Sequence, residues 1–224
     1  MHKSEIPVYL MERVKARRGK IDLYEKLEGK KTALLVVDLQ NAFMLPGMVD
    51  EVPIAREIVP NVNRLAEATR KAGGLVVWIK MTLGGNQDRW DVFLDNFSKP
   101  EIGAAAQEAL TPGHSGHELH ADLDVRDGDL TVEKTRFSAF IQGSSDLHDI
   151  LRARGIDTVL VTGTVTNTCC ECTARDAMML NYRMVFLSDA NAGRTDEEHN
   201  ATLGNILRIF GDVASTDEVV KRLG

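Results

Sequence analysis

Three thiols stand within four positions of this chain, at Cys169, Cys170 and Cys172 in TNTCCECTARDA (166–177), and the sequence holds no other cysteine. A thiolate is both a nucleophile and a metal ligand, so the group admits catalytic, metal-binding, disulfide and packing readings. Zinc is disfavoured, because structural zinc sites space their cysteines by at least two residues and need a further ligand pair. A disulfide between adjacent Cys169 and Cys170 would close a strained ring. What remains depends on the chemistry brought near these thiols. Asp38 closes the apolar run KKTALLVVD (30–38), and Lys134 closes DLTVEK (129–134). An acid that takes the thiol proton, with an ammonium that holds the thiolate, would make one cysteine a nucleophile. Singly, a strand-end carboxylate is often a loop or cap residue, a lysine is usually solvated and a buried cysteine is inert packing. Their convergence is what points to catalysis.

The elements that must position them are legible as a pattern. Apolar runs at 30–38, 74–80, 129–134, 157–163 and 183–189 have strand length. Helical patterns lie between and after them, at 55–73, 145–155, 170–182 and 197–211. Strands apolar on both faces and alternating with helices imply a parallel sheet covered on both sides. Gly73, Gly155 and Gly211 stand where helix C-caps are expected. In such sheets ligands bind beyond the carboxyl ends of the strands. That rim is where Asp38, Lys134 and the segment after Gly163 fall. Thr168 and Glu171 have capping-box spacing, which predicts a helix beginning at Cys169. A thiolate there would be favoured by the helix N-terminus. Cys170 and Cys172 point about 100° and 300° further round and are expected to pack. Arg175 and Asp176 are expected to form structural ion pairs.

Length and composition suit one domain, residues 29–224, preceded by a polar helical arm, residues 1–28, that packs on the domain or on a neighbouring subunit. The net charge of −6, with both signs mixed along the chain, argues against nucleic acid or an anionic membrane as partner. No apolar run approaches a membrane span. Charges throughout the first twenty residues leave no signal-like stretch, so a cytoplasmic location with reduced thiols is expected. The segment 81–127 has no clean period and reads as long loops and short helices, the usual form of a functional lid.

Three stretches, VVDLQNAF (36–43), EKTRFSAF (133–140) and VTGTVTNTCCECTARDA (161–177), resemble the isochorismatase-like cysteine hydrolases in order and spacing, over roughly residues 30 to 215. The resemblance implies a three-layer α/β/α fold with a six-stranded parallel sheet and a catalytic triad of Asp38, Lys134 and Cys169. It also implies a non-proline cis peptide at Thr164–Val165. That bond would aim the Val165 N–H, beside that of Cys169, at a substrate carbonyl oxygen. Metal-dependent nicotinamidases of the family use histidines after the first and second strands, and neither MLPGMVDEVPIA nor WIKMTLGGNQDRW has one. Isochorismatases proper lack the cysteine. The departures leave the metal-free amidohydrolase branch, similar to N-carbamoylsarcosine amidase and ureidoacrylate hydrolase, with no cofactor.

The expected reaction is cleavage of a small amide or N-carbamoyl compound through a thioester. The alternatives are a vinyl-ether hydrolase in which Asp38 is the acid, a metal-independent nicotinamidase-like amidase, and a non-catalytic domain that kept the fold. Candidate substrate-wall residues are Asn41, Phe43, Trp78, Trp90, His117, Arg136 and Phe140. Trp78 has plain core as its alternative, and Arg136 a salt bridge within the domain. His114, His117 and His120 admit a metal site, a solvated lid or a substrate contact by one of them. PGHSGHEL (112–119) resembles the family's Pro-Gly-x-x-Gly-x-Glu-Leu segment at the site entrance. The arm and the family habit imply a homo-oligomer, dimer or tetramer.

Overall fold

β1 (Thr32–Val37) is buried along its whole length, and its alternate side chains serve two separate cores. Leu34 and Val36 point into one apolar cluster, while Ala33, Leu35 and Val37 point into another. This is the two-faced burial that a continuous apolar run requires in a parallel sheet. The computed structural model describes residues 1–84 and 89–224; residues 85–88 of the expected lid segment lie outside them. The chain runs α1 (Val8–Arg18), β1, α2 (Asn41–Met44), α3 (Val59–Lys71), β2 (Leu75–Met81), α4 (Asp91–Asn96), α5 (Pro100–Ala109) and β3 (Leu130–Lys134). It continues through α6 (Leu147–Ala153), β4 (Thr158–Thr164), α7 (Glu171–Met179), β5 (Arg183–Ala192), α8 (Asp196–Asn205), β6 (Asp212–Ala214) and α9 (Thr216–Leu223).

The six strands are all parallel, in the order β3-β2-β1-β4-β5-β6. The direction of winding reverses between β1 and β4, so the crevice of this α/β sheet opens there. Residues of α3 and α9 pack in the Leu34 cluster, and those of α6, α7 and α8 in the other. All five strands read from the sequence are present. The sixth, β6, is three residues long and carries no readable pattern. Gly73 and Gly155 adopt the left-handed conformation expected of helix ends. Gly211 does not: its φ of 172° is extended, and a Cβ there would lie 2.2 Å from the Met184 carbonyl oxygen.

Residues 1–28 contain one helix, α1, and their other segments dock on the chain's own body. The Leu23 and Tyr24 N–H groups donate to the Asp212 carboxylate, which Arg18 and Arg222 also approach at 3.6 and 3.5 Å. Among the described residues no helix is long and apolar enough to cross a membrane.

At the crevice, β4 runs so close to β1 that Gly163 is obligatory. Its φ is +124°, and a Cβ would stand 2.0 Å from the Val37 carbonyl oxygen. Gly163→Ala is therefore expected to cost at least ~2 kcal/mol from the forced conformation and the clash. Comparing the denaturant midpoints of variant and parent measures it.

Candidate active site

Asp38 follows the last residue of β1 at a positive φ of 53°, which turns its side chain off the strand direction. Its backbone N–H donates to the Ile79 carbonyl and stays tied to β2. Gln40 strengthens the same junction, accepting from the Met81 N–H at 2.7 Å and donating to the Met81 and His117 carbonyls. Lys134 ends β3, two strands away and in register with Met81. Only a long side chain spans that gap, passing the Met81 sulfur at 3.3 Å.

The Lys134 Nζ then lies 2.8 Å from Asp38 Oδ2, 3.5 Å from Cys169 Sγ and 3.2 Å from the Arg136 carbonyl it donates to. All three side chains are buried, Cys169 with 4 % of its surface exposed. The Lys134 ammonium and the Cys169 thiol both face the Asp38 carboxylate, and each favours its charged form.

Burial pushes the Asp38 carboxyl above the ordinary carboxylate range, against the opposing pull of Lys134. Burial depresses Lys134, but the Asp38 charge, with the contacts to Asp38 and Cys169, outweighs it and leaves the ammonium above its ordinary value. Burial, then the Asp38 charge, push the Cys169 thiol well up. Burial and the Asp38 charge thus both oppose a thiolate at Cys169, while the Lys134 charge favours one. The thiolate favoured by a helix N-terminus is set against these influences.

The local backbone also differs from the expected helix start. Thr166–Cys170 form a single π-helical turn closed by the Cys170 N–H on the Val165 carbonyl, and α7 begins only at Glu171. The peptide that leads into this turn, between Thr164 and Val165, is cis. The Thr168–Glu171 capping box does not form. Glu171 instead accepts from Arg175 and from the Thr202 hydroxyl, and it, not Asp176, is the partner of Arg175. Cys170 is fully buried in the core. Cys172 is half-buried at a surface depression.

A cavity of about 300 Å³ opens onto Cys169. Phe43, Met81, Leu83, Phe93, Leu110 and Phe137 form its apolar walls, and Val165, Asn167 and Thr168 line it beside the thiol. Asp50, Arg194 and Glu198 give it a charged side, where Arg194 donates to the Glu51 carbonyl and stands 3.9 Å from Asp50.

Of the wall candidates read from sequence, Phe43 lines this cavity. Trp78 does not: it is core, with its indole N–H donating to Asp129 at 2.9 Å. Phe140 packs against Tyr182 in the other cluster. Asn41 is spent on the Ser115 carbonyl. His117 is buried against the Thr82 hydroxyl at 2.8 Å, and burial, with the Lys80 charge, lowers its pKa. Trp90 and Arg136 line a neighbouring depression, with the Arg136 guanidinium over the Trp90 ring and donating to the Thr135 carbonyl. Trp90 acts on the cavity at one remove, packing against Phe93 and Phe137. His114 accepts from the Gly116 N–H and His120 from the Asp122 N–H, so the three histidines do not converge. Among the described residues no group of three or more His, Cys, Asp or Glu is placed to hold a metal.

Sequence reasoning missed Arg194 and Glu198. The signal existed: both follow β5, and the rule that ligands gather at strand carboxyl ends covers it. The strand reading stopped at residue 189, three residues short of Ala192.

The sheet is doubly wound, with its switch point between β1 and β4, and the Asp38–Lys134–Cys169 trio is buried at that rim. Residues 32–218 match the isochorismatase domain, and the chain belongs to the isochorismatase family. It is 34% identical over 214 residues to the ureidoacrylate amidohydrolase RutB of Variovorax paradoxus, covering 87% of this chain and 82% of that protein. A solved cysteine hydrolase from Pseudomonas syringae pv. phaseolicola superposes with a TM-score of 0.80 at 30% identity, covering 88% of this chain and 94% of the other. The N-carbamoylsarcosine amidase of Thermoplasma acidophilum superposes with a TM-score of 0.68 at 28% identity, over 84% and 97%.

Buried His199 supplies a pH prediction. Burial, then the neighbouring His2, lower its pKa from 6.5 to about 4. The unfolded chain therefore binds the proton more readily, and stability falls as pH drops from about 6.5 towards 4, by about 3 kcal/mol in all. Denaturation at a series of pH values is expected to show that slope, and His199→Gln to flatten it.

Proposed function

We propose that this chain is a cysteine-dependent amidohydrolase acting on a small amide or N-carbamoyl compound. The observation that carries the reading is the Lys134 ammonium, 2.8 Å from Asp38 and 3.5 Å from Cys169, the thiol onto which the cavity opens. Likeness to a ureidoacrylate amidohydrolase and an N-carbamoylsarcosine amidase supports the bond type.

Asp38 accepts the Cys169 proton as Sγ attacks the carbonyl carbon. The Val165 and Cys169 N–H groups receive the oxyanion, a contribution of about 3 kcal/mol per donor in the transition state. Asp38 passes its proton to the leaving nitrogen, the C–N bond breaks, and ammonia or an amine departs from a thioester. Asp38 then takes a proton from water, hydroxide adds to the thioester, and the proton returns to Cys169 as the acid is released. Lys134 keeps Asp38 anionic before attack and steadies the negative charge during it. The cavity's size suits a compact substrate.

A panel of simple amides, carbamoylated amines and ureido acids, assayed for ammonia or amine release, tests the reading. Turnover of at least one member by the parent supports it. No release across the panel, with a carbonyl product released from a vinyl ether instead, would favour Asp38 acting alone as an acid.

A further inference from the structure

His2 lies far from the nucleophile in sequence, yet its side chain is 1 % exposed and its ring stacks on that of His199 with centroids 4.3 Å apart. The hydrogen bonds fix both tautomers. The Gly193 N–H donates to His2 Nε2 at 2.8 Å, so the His2 proton sits on Nδ1 and faces Asp196 Oδ1 at 2.7 Å. The Ser188 carbonyl can only accept, so His199 carries its proton on Nε2, 3.0 Å away. His199 Nδ1 is then left to accept from the Thr166 hydroxyl at 3.0 Å. Thr166 is the first residue of the π-helical turn that holds Cys169, and Gly193 adjoins Arg194 on the cavity's charged side. Neighbouring contacts extend the attachment: Ser4 donates to the Ser188 carbonyl, the Glu5 N–H to Asn200, and Asn200 to the Lys3 carbonyl.

We infer that residues 2–5 form a positioning strap for the nucleophile, in which His2 braces His199, and His199 braces Thr166 and the turn carrying Cys169. His2 touches no reacting atom and is a positioning residue. The inference rests on Cys169 being the nucleophile, but its test does not depend on turnover alone. A thiol that must stay 3.5 Å from Lys134 loses reactivity when its turn is free to shift, because small misplacements of a reacting group carry large rate penalties.

The test compares His2→Ala, His2→Gln and Asp196→Ala in the full chain. For each, kcat and KM are measured on the best amide of the panel, and alkylation of Cys169 by iodoacetamide is followed by peptide mass spectrometry. His2→Ala is expected to lower kcat by about tenfold, to lower the alkylation rate in parallel and to leave KM within about threefold. Gln offers an N–H donor and a carbonyl acceptor, so His2→Gln is expected to restore most of both rates. Asp196→Ala is expected to act in the same direction as His2→Ala, and more weakly. A His2→Ala protein with a lower melting temperature but unchanged kcat and alkylation overturns the proposal, and so does faster alkylation, which would make the segment a mere cover. If Cys169→Ala kept turnover, the amidohydrolase reading would fall, and the strap would be judged on the alkylation rates alone.

Discussion

Cys169→Ala is expected to lower amide turnover on the order of 10⁴-fold or more, the scale seen when a covalent nucleophile is removed. The change deletes one sulfur from a buried site, so the fold survives at a cost of about 1 kcal/mol. Cys170→Ala deletes a sulfur of equal size one residue away, from a fully buried position among core residues. It is expected to keep turnover within a few fold. The pair of variants separates loss of chemistry from loss of packing, with ammonia release as the measurement and a denaturation curve for each protein as the control. Turnover that survives in Cys169→Ala but not in Asp38→Asn would mean that the acid works without the thiol.

Asp38→Asn is expected to have two effects of opposite sign. Turnover falls by at least ~10³-fold, because no group is left to take the thiol proton or to deliver it to the leaving nitrogen. The thiol itself becomes easier to ionise, since the Asp38 charge is, after burial, the main cause that raises its pKa. Lys134→Met shifts that ionisation the other way, because the cation that opposes the rise is gone. It also strands Asp38 in a dry site, at about 3–5 kcal/mol of stability. Rates of Cys169 alkylation against pH read both shifts, with the midpoint of the Asp38→Asn variant below that of the parent and the midpoint of the Lys134→Met variant above it. In the parent, turnover is expected to decline on the acid side as Asp38 protonates. Because burial raises the Asp38 carboxyl, that decline comes at a higher pH than for an ordinary carboxylate.

The Asp38–Lys134–Cys169 trio was readable because each member sits at or just beyond the end of an apolar run, and a parallel sheet gathers such ends on one rim. The cavity walls were not, because strand alternation says which face a side chain is on and not what lies above it. Trp78 illustrates the limit: a large aromatic on β2, it is aimed at Asp129 and the core that α3 covers. Phe43 and Phe140 are the same residue type in comparable motifs, and only tertiary packing decides that one meets the cavity and the other Tyr182. The capping signal at Thr168 failed for a different reason. A π-helical turn takes up an extra residue before α7, which shifts Cys169 out of the first α-helical position and frees Glu171 to brace Arg175 and Thr202. Strand β6 escaped because three residues carry no period. His2 escaped because nothing local marks a residue whose partners lie more than 190 positions away.

Acylation of Cys169 is the step on which the proposed chemistry stands or falls. Mixing the parent with a slowly hydrolysed amide from the panel, quenching in acid and mapping the peptides by mass spectrometry would reveal it. The acyl mass is expected on the peptide carrying Cys169, absent in Asp38→Asn and lost with time as product forms. Full turnover with no acyl group on Cys169 at any quench time, or an adduct on Cys170 or Cys172 instead, would refute it.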